Sequence, residues 1–306
     1  MRVFLCFVDG LGLGSDDPAV NPLITAPMPH LRALLGGRPL TRSAVPYAAP
    51  GLSVTGIDPR LGVEGLPQSA TGQTAIFTGQ NAPKAIGHHL HAYPTPNLKA
   101  ILDEHSVFRQ VEARAGTATF LNAFRPEFFA WVEAGCPLHK DRRYRPSAST
   151  LAGLAAGVHV FRSLDDLRAG QAVGFDIDHA VMRSLGHDVP PVDPAEAGRR
   201  AAQVEGTHTF TLYEHFLTDK AGHSQDPGEA ARVLERLDAF LGGVFAHLPT
   251  DVLFLLTSDH GNLEDLSVRT HTYNDVPLIA MGPGAADVAA RVRDLTEIVP
   301  AILAAI

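Results

Sequence analysis

Residues 252–262 read VLFLLTSDHGN, a continuous apolar run that breaks abruptly into polar residues. A run that is apolar on both faces is the pattern of a strand buried in a parallel sheet, and it delivers Asp259 and His260 just past the strand's carboxyl end. In open α/β sheets the crevice outside those carboxyl ends is where ligands bind. Two other stretches end the same way. THTFTLYEHFLTD (207–219) should bring Asp219, and four residues later His223, to the same edge at strand ends and in loops. RVFLCFVDG (2–10) delivers Asp9 into a glycine-rich turn, GLGLG (10–14). A dinucleotide-binding reading of that turn is weak, because the acid sits at the strand end and no G-x-G-x-x-G helix opening follows. His271 falls in a polar stretch just before another strand, VPLIAMG (276–282).

Carboxylates mixed with imidazoles suit Zn²⁺ or Mn²⁺, whereas an all-oxygen set would suggest Mg²⁺ or Ca²⁺. The chain has 15 histidines, so a single one carries little weight. His30, His105, His159, His179, His187 and His247 fall in segments with no convergent partner, and His215 lacks the D-x-x-x-H spacing of Asp219 and His223. A nucleophile is offered by GLPQSATGQTAIFTG (65–79), where Ser69 opens a short helix closed by Gly79. Unpaired N–H groups and the positive dipole end would favour a phosphate there, and a bound cation would lower the hydroxyl's pKa. The plainer reading makes Ser69 an N-cap, and Thr71 competes as nucleophile.

Asp9 in VDG, Ser69 in QSATG, Asp219 and His223 in TDKAGH, Asp259 and His260 in TSDHGN, and His271 in RTHT together resemble the ligand set of the alkaline phosphatase superfamily. Within it the chain is most similar to the metalloenzyme branch that holds cofactor-independent phosphoglycerate mutase and phosphopentomutase. The resemblance implies a mostly parallel α/β sheet sandwiched by helices, with a small inserted lid. It also implies one divalent ion on Asp219, His223 and His271, and a second on Asp9, Ser69, Asp259 and His260, with Mn or Zn favoured. The match covers the two ends of the chain well and the middle poorly. Where the mutases carry an acidic or amide residue before the nucleophile and a Gly-His pair after it, this chain has Gln68, then Gly72-Gln73.

The core is expected over 1–123 and 207–306, split by a lid over 124–206 that is aromatic, basic and punctuated by proline. Helices are expected in NLKAILDEHSVFRQVEARAG (97–116) and in DPAEAGRRAAQVEG (193–206), where Asp193 can cap and Pro194 take the first position. The basic run 139–145 places Arg142, Arg143 and Arg145 as candidate phosphate-binding residues, since guanidinium groups match phosphate oxygens with paired hydrogen bonds. A solvated basic loop is the alternative. Lys84 and His88, just after the Ser69 helix, are further candidates on proximity alone.

A length of 306 residues permits a substantial core, and 45% hydrophobic with 19% charged residues is ordinary for a globular protein. A formal net charge of -8 argues against a general nucleic-acid binder. Two cysteines, Cys6 and Cys136, argue against a disulfide framework. MRVFLCFVDG enters a core strand directly without a signal-peptide pattern, and no run approaches the roughly 20 apolar residues a membrane span needs. A cytoplasmic protein with a small phosphorylated substrate is the expectation; oligomeric state is open. The chemistry expected is attack by Ser69 on a phosphate monoester to give a phosphoserine, as mutase or phosphatase. Other hydrolysis within the superfamily, such as phosphodiester cleavage, or non-catalytic metal binding, are the alternatives; QSATG lacks the sulfatase motif.

Overall fold

The computed structural model describes residues 1–136 and 145–306. Eight strands form one sheet in the order β2-β3-β8-β7-β1-β6-β4-β5. They are β1 (Arg2–Val8), β2 (Tyr47–Ala49), β3 (Leu52–Ile57), β4 (Ala118–Phe124), β5 (Phe161–Ser163), β6 (Phe210–His215), β7 (Val252–Thr257) and β8 (Val276–Met281). β7, β1, β6, β4 and β5 run parallel, so their carboxyl ends meet at one edge. β8, β3 and β2 add an antiparallel flank.

β1 lies at the middle of the parallel set, in register with β6 and β7. Its alternation explains the unbroken apolar sequence. Val3, Leu5 and Phe7 enter one core with Phe77, Phe108 and Phe210, while Phe4, Cys6 and Val8 enter the other with Tyr213, Phe240 and Phe254. Both faces of the sheet are therefore covered, as a parallel sheet requires. The helix Ser69–Thr78 sits in the first layer, and Pro194–Glu205 packs along the long helix Pro227–His247 in the second. Cys6 is a buried packing residue, and both cysteines are free.

Asp193 caps its helix as expected, accepting from the N–H groups of Ala195 and Glu196 with Pro194 in the first turn. The single helix expected over 97–116 is instead two, Pro96–His105 and Val107–Glu112. Ser106 breaks it with extended ψ of 131°, and its hydroxyl donates to the Ala152 carbonyl at 2.6 Å. A tertiary hydrogen bond to a residue 46 positions away overrides local propensity. Within 124–206, β5 joins the sheet next to β4, helix Ala148–Ala156 packs on the first layer and Pro194–Glu205 on the second. No helix among the described residues is long and apolar enough to cross a membrane.

At the end of the sheet away from the strand carboxyl termini, Glu205 is fully buried with neither carboxylate oxygen partnered. The nearby Arg2 guanidinium turns to the Gly206 carbonyl and Asp251 instead. Burial pushes Glu205 up to about 7 from an ordinary 4.5. The folded state thus holds this proton more tightly than the unfolded chain. The group's contribution to stability is intact below about pH 4.5, declines as pH rises, and is lost above about pH 7. Glu205→Gln should remove that decline, leaving the variant more stable than the parent at pH 8 by roughly 2–3 kcal/mol in denaturant unfolding, with little difference at pH 4.5. Parallel stability curves across that range would contradict the assignment.

Candidate metal centre

Three of the parallel strands, β1, β6 and β7, deliver the acidic and imidazole side chains to one edge. Asp9 follows β1, and Asp259 with His260 follows β7. Asp219 and His223 were expected at strand ends and in loops, but both lie on a helix, Leu217–Ser224, that starts two residues beyond β6. Positions four apart on a helix share a face, and His223 Nε2 lies 3.4 Å from Asp219 Oδ2. His271 arrives from the turn before β8.

These residues gather into two groups of facing ligand atoms, Asp219–His223–His271 and Asp9–Asp259–His260. The His260 and His271 rings stack at 3.6 Å between centroids, so the groups share a wall. The first opens to solvent through His223, whose side chain is 45% exposed. The second is closed: Asp259 and His260 are fully buried and Asp9 is 8% exposed.

The glycine-rich turn after β1 has a steric cause. Gly10, at φ +68°, leaves no room for a Cβ, which would stand 2.8 Å from the Asp219 side chain; at Gly12 it would meet the Glu264 carboxylate at 2.3 Å. The turn clears space for the acids of neighbouring loops. No phosphate-binding helix follows it.

Ser69 is the first residue of the helix Ser69–Thr78, whose N-cap is Gln68. Ser69 is therefore not the cap, and the Gln68 side chain makes no capping hydrogen bond either. Ser69 Oγ lies 3.0 Å from His260 Nε2. Thr71 is buried, with its hydroxyl donating to the Gln68 carbonyl and accepting from the Leu90 N–H. The two hydroxyls are thus separated by packing: Ser69 faces the site and Thr71 braces the loop beside it.

The donor chemistry fits divalent cations. His271 Nδ1 meets the Pro67 carbonyl at 2.9 Å and His223 Nδ1 the Arg269 carbonyl at 3.0 Å. A carbonyl only accepts, so each Nδ1 carries the hydrogen and each Nε2 of the neutral ring presents a lone pair. Those two Nε2 atoms face each other at 3.3 Å, an approach that a cation shared between them would satisfy. Asp9 Oδ1 is buried without a partner, 3.4 Å from His260 Nε2. Among the described residues no Lys or Arg pairs with Asp9, Asp219 or Asp259; the basic side chains beside them are His223, His260 and His271.

Electrostatics point the same way. Burial, then the charges of Asp259, Asp219 and Glu214, holds the Asp9 carboxyl well above the usual range. Asp259 is pushed up to about 7, first by burial and then by Asp219. Burial and the adjacent His271 push His260 down to about 3, keeping a neutral ring available as a ligand. Carboxylates crowded in this way need positive charge beside them to ionise together.

Sequence reasoning passed over four residues. Asn262 Nδ2 donates to Asp219 Oδ1 at 2.7 Å. Gln73 Nε2 reaches both Asp9 and Asp259. Glu264, fully buried, accepts from the Gly12 and Asn262 N–H groups, the Thr272 hydroxyl and the Asn274 amide. Glu214, at the end of β6, accepts from the Ser149 hydroxyl at 2.7 Å, and burial pushes it up to about 7. Gln73 was findable one helical turn past Ser69, and Asn262 and Glu264 lie within DHGNLE; nothing local marks Glu214. Of the proposed phosphate contacts, Arg142 and Arg143 lie outside the described residues. Arg145 and Lys84 are exposed, as is His88, whose Nδ1 sits 3.2 Å from its own chain at Ile86 O. No described contact ties these three to the two ligand groups.

A family model described as the metalloenzyme superfamily matches residues 1–306. The phosphopentomutase of Methylobacterium radiotolerans is 30% identical over 278 residues, 88% of this chain and 62% of that protein. The 2,3-bisphosphoglycerate-independent phosphoglycerate mutase of Thermococcus gammatolerans is 26% identical over 165 residues, 48% of this chain and 40% of that one. The chain spans about half the length of the curated relatives it matches, from 40% to 62% in these two. The alkaline phosphatase of the Antarctic bacterium TAB5 superposes with a TM-score of 0.53 at 13% identity, covering 99% of this chain and 97% of the other, which is a likeness of fold. A family match that runs from the first residue to the last, over a sheet of the alkaline phosphatase kind, leads to one conclusion: the chain belongs to the metalloenzyme superfamily.

Proposed function

We propose that the protein transfers the phosphoryl group of a small phosphate monoester through a phosphoserine at Ser69, with two divalent ions, Zn²⁺ or Mn²⁺, on the two ligand groups. The observation that carries this reading is Ser69 Oγ, at the opening of a helix and 3.0 Å from His260 Nε2 of the buried group. Asp219, His223 and His271 would hold one ion; Asp9, Asp259, His260 and Ser69 Oγ would hold the other. Ions held there would polarise the phosphoryl oxygens, acidify the serine hydroxyl and neutralise charge on the entering and leaving oxygens.

The chain's own part is positioning. The uncapped N–H groups of the Ser69 helix suit the phosphoryl oxygens, and Ser69 Oγ is held at that same terminus. Attack by Oγ, which gives up its proton, forms the Oγ–P bond as the ester P–O bond breaks, and the leaving oxygen takes up a proton to become the hydroxyl of the substrate alcohol. Water then releases inorganic phosphate, or a second substrate hydroxyl takes the group back and the substrate is isomerised. The solvent-open side at His223 suits substrate entry, while the closed side at Asp259 suits fixing the nucleophile. A relative matched over 88% of this chain is named a phosphopentomutase, which supports phosphate monoesters as the substrate class. A cap within 124–206 belongs to this reading too. Since β5, Ala148–Ala156 and Pro194–Glu205 are built into the sheet and its two layers, the covering part would come from the other elements of that segment, among them Pro126–Glu133, Leu164–Arg168 and Ala180–Ser184.

Two experiments test this. Phosphoglycerates, pentose phosphates and other monoesters should be turned over with Mn²⁺ or Zn²⁺, read as free phosphate and as isomerised product. In Ser69→Ala, turnover should fall by about 10³-fold or more while two ions per chain are still bound. Unchanged turnover in that variant would sink the phosphoserine route. The ligand loops should also depend on Glu264, because an amide accepts at one oxygen where the carboxylate accepts at both. Glu264→Gln should cost roughly 3 kcal/mol in denaturant unfolding. A loss below about 1 kcal/mol would mean that the four donors find other partners.

A further inference from the structure

Gln73 lies one helical turn beyond Ser69, on the same face of the helix, and is 4% exposed. Its Nε2 is 3.2 Å from Asp9 Oδ2 and 3.1 Å from Asp259 Oδ2. Carboxylate oxygens of metal ligands only accept, so the amide must turn its NH₂ to them, and its two hydrogens match two acceptors. The helix can come this close because Gly72 leaves space: a Cβ there would stand 2.8 Å from the Asp259 carbonyl.

The consequence for the two acids is specific. Asp9 Oδ2 is engaged by Gln73, which leaves Oδ1, without a partner, as the atom turned toward His260 Nε2 at 3.4 Å. Asp259 is held from two sides, by the Gly10 N–H at Oδ1 and by Gln73 at Oδ2. The holding group is neutral. A lysine or arginine in its place would hold the acids equally well but would offset the negative charge that attracts a cation. Gln73 contacts no residue of the Asp219–His223–His271 group through its side chain among the described hydrogen bonds.

We infer that Gln73 is a positioning residue that clamps Asp9 and Asp259 together, presents them to one of the two metal ions, and locks that ion's pocket to the helix carrying the nucleophile. The inference rests on the two-metal reading above and deepens it. It separates the two ions: the clamp acts on the buried pocket and leaves the solvent-open pocket alone. Partners of this kind, one shell out from the ligands, typically change metal affinity by about 10–100-fold.

The test is metal binding itself, measured on the intact chain stripped with a chelator and titrated with Zn²⁺ against a chromophoric competitor. Gln73→Met keeps the length of the side chain without its donors. One of the two ions should bind about 10–100-fold more weakly, with the other unchanged. His223→Ala, which removes a ligand of the open group, should weaken the other ion and so identify each. Should Gln73→Met fail to fold, Gln73→Asn keeps the amide but is one methylene too short to span both acids, and should show the same one-sided loss. Unchanged affinity for both ions overturns the clamp, and so does an equal loss at both, which is what general loosening produces. Fewer than two ions on the parent chain overturns the two-metal reading and the clamp together.

Discussion

Four hydrogen-bond donors from three separate loops end on one buried carboxylate. Glu264 accepts from Gly12 in the turn after β1, from Asn262 in the loop after β7, and from Thr272 and Asn274 in the turn before β8. Each of those segments carries a ligand: Asp9, then Asp259 and His260, then His271. Loops left to themselves would sample many conformations, and ordering each residue costs about 1–2 kcal/mol of backbone entropy. A single acceptor buried among them makes their conformations interdependent, because releasing one donor leaves a polar group unpaired in the core. The relative placement of the two ligand groups follows from that shared anchor.

The sheet supplies the other half of the constraint. β1 lies between β6 and β7 in parallel register, so Asp9, the Asp219 helix and Asp259 emerge at one level. The acids are then forced together with no lysine or arginine paired to them among the described residues. Burial raises their proton affinity, and a divalent ion bound there would take the place of those protons. Asymmetry between the groups is part of the design. The buried pocket sits against Ser69 and Gln73, while the open one reaches solvent through His223.

Much of this was legible in the chain. Unbroken apolar runs marked β1, β6 and β7, and the acidic and imidazole residues that follow them lie together with His271 in two groups, because burial on both faces leaves a hydrophobic signature that ends where the sheet ends. The Ser69 helix and the cap at Asp193 were legible for a similar reason, being set by short-range capping and turn chemistry. Ser106 was not. Its break in the helix depends on the Ala152 carbonyl, 46 positions away. Asp219 and His223 were recognised by their spacing but assigned to the wrong kind of element, since a four-residue interval reads equally as a loop or as one helical turn.

Local periodicity and residue chemistry are enough for the mostly parallel α/β core, the acids and imidazoles gathered at its edge, and the hydroxyl that opens a helix. Which residues hold those groups in place depends on the folded chain. Gln73 donates across 64 positions to Asp9 and 186 to Asp259, and Glu264 receives a donor from 252 positions away. Contacts of that kind leave no periodic trace in the chain, because they are made by whichever side chains the folded sheet happens to bring within hydrogen-bonding distance.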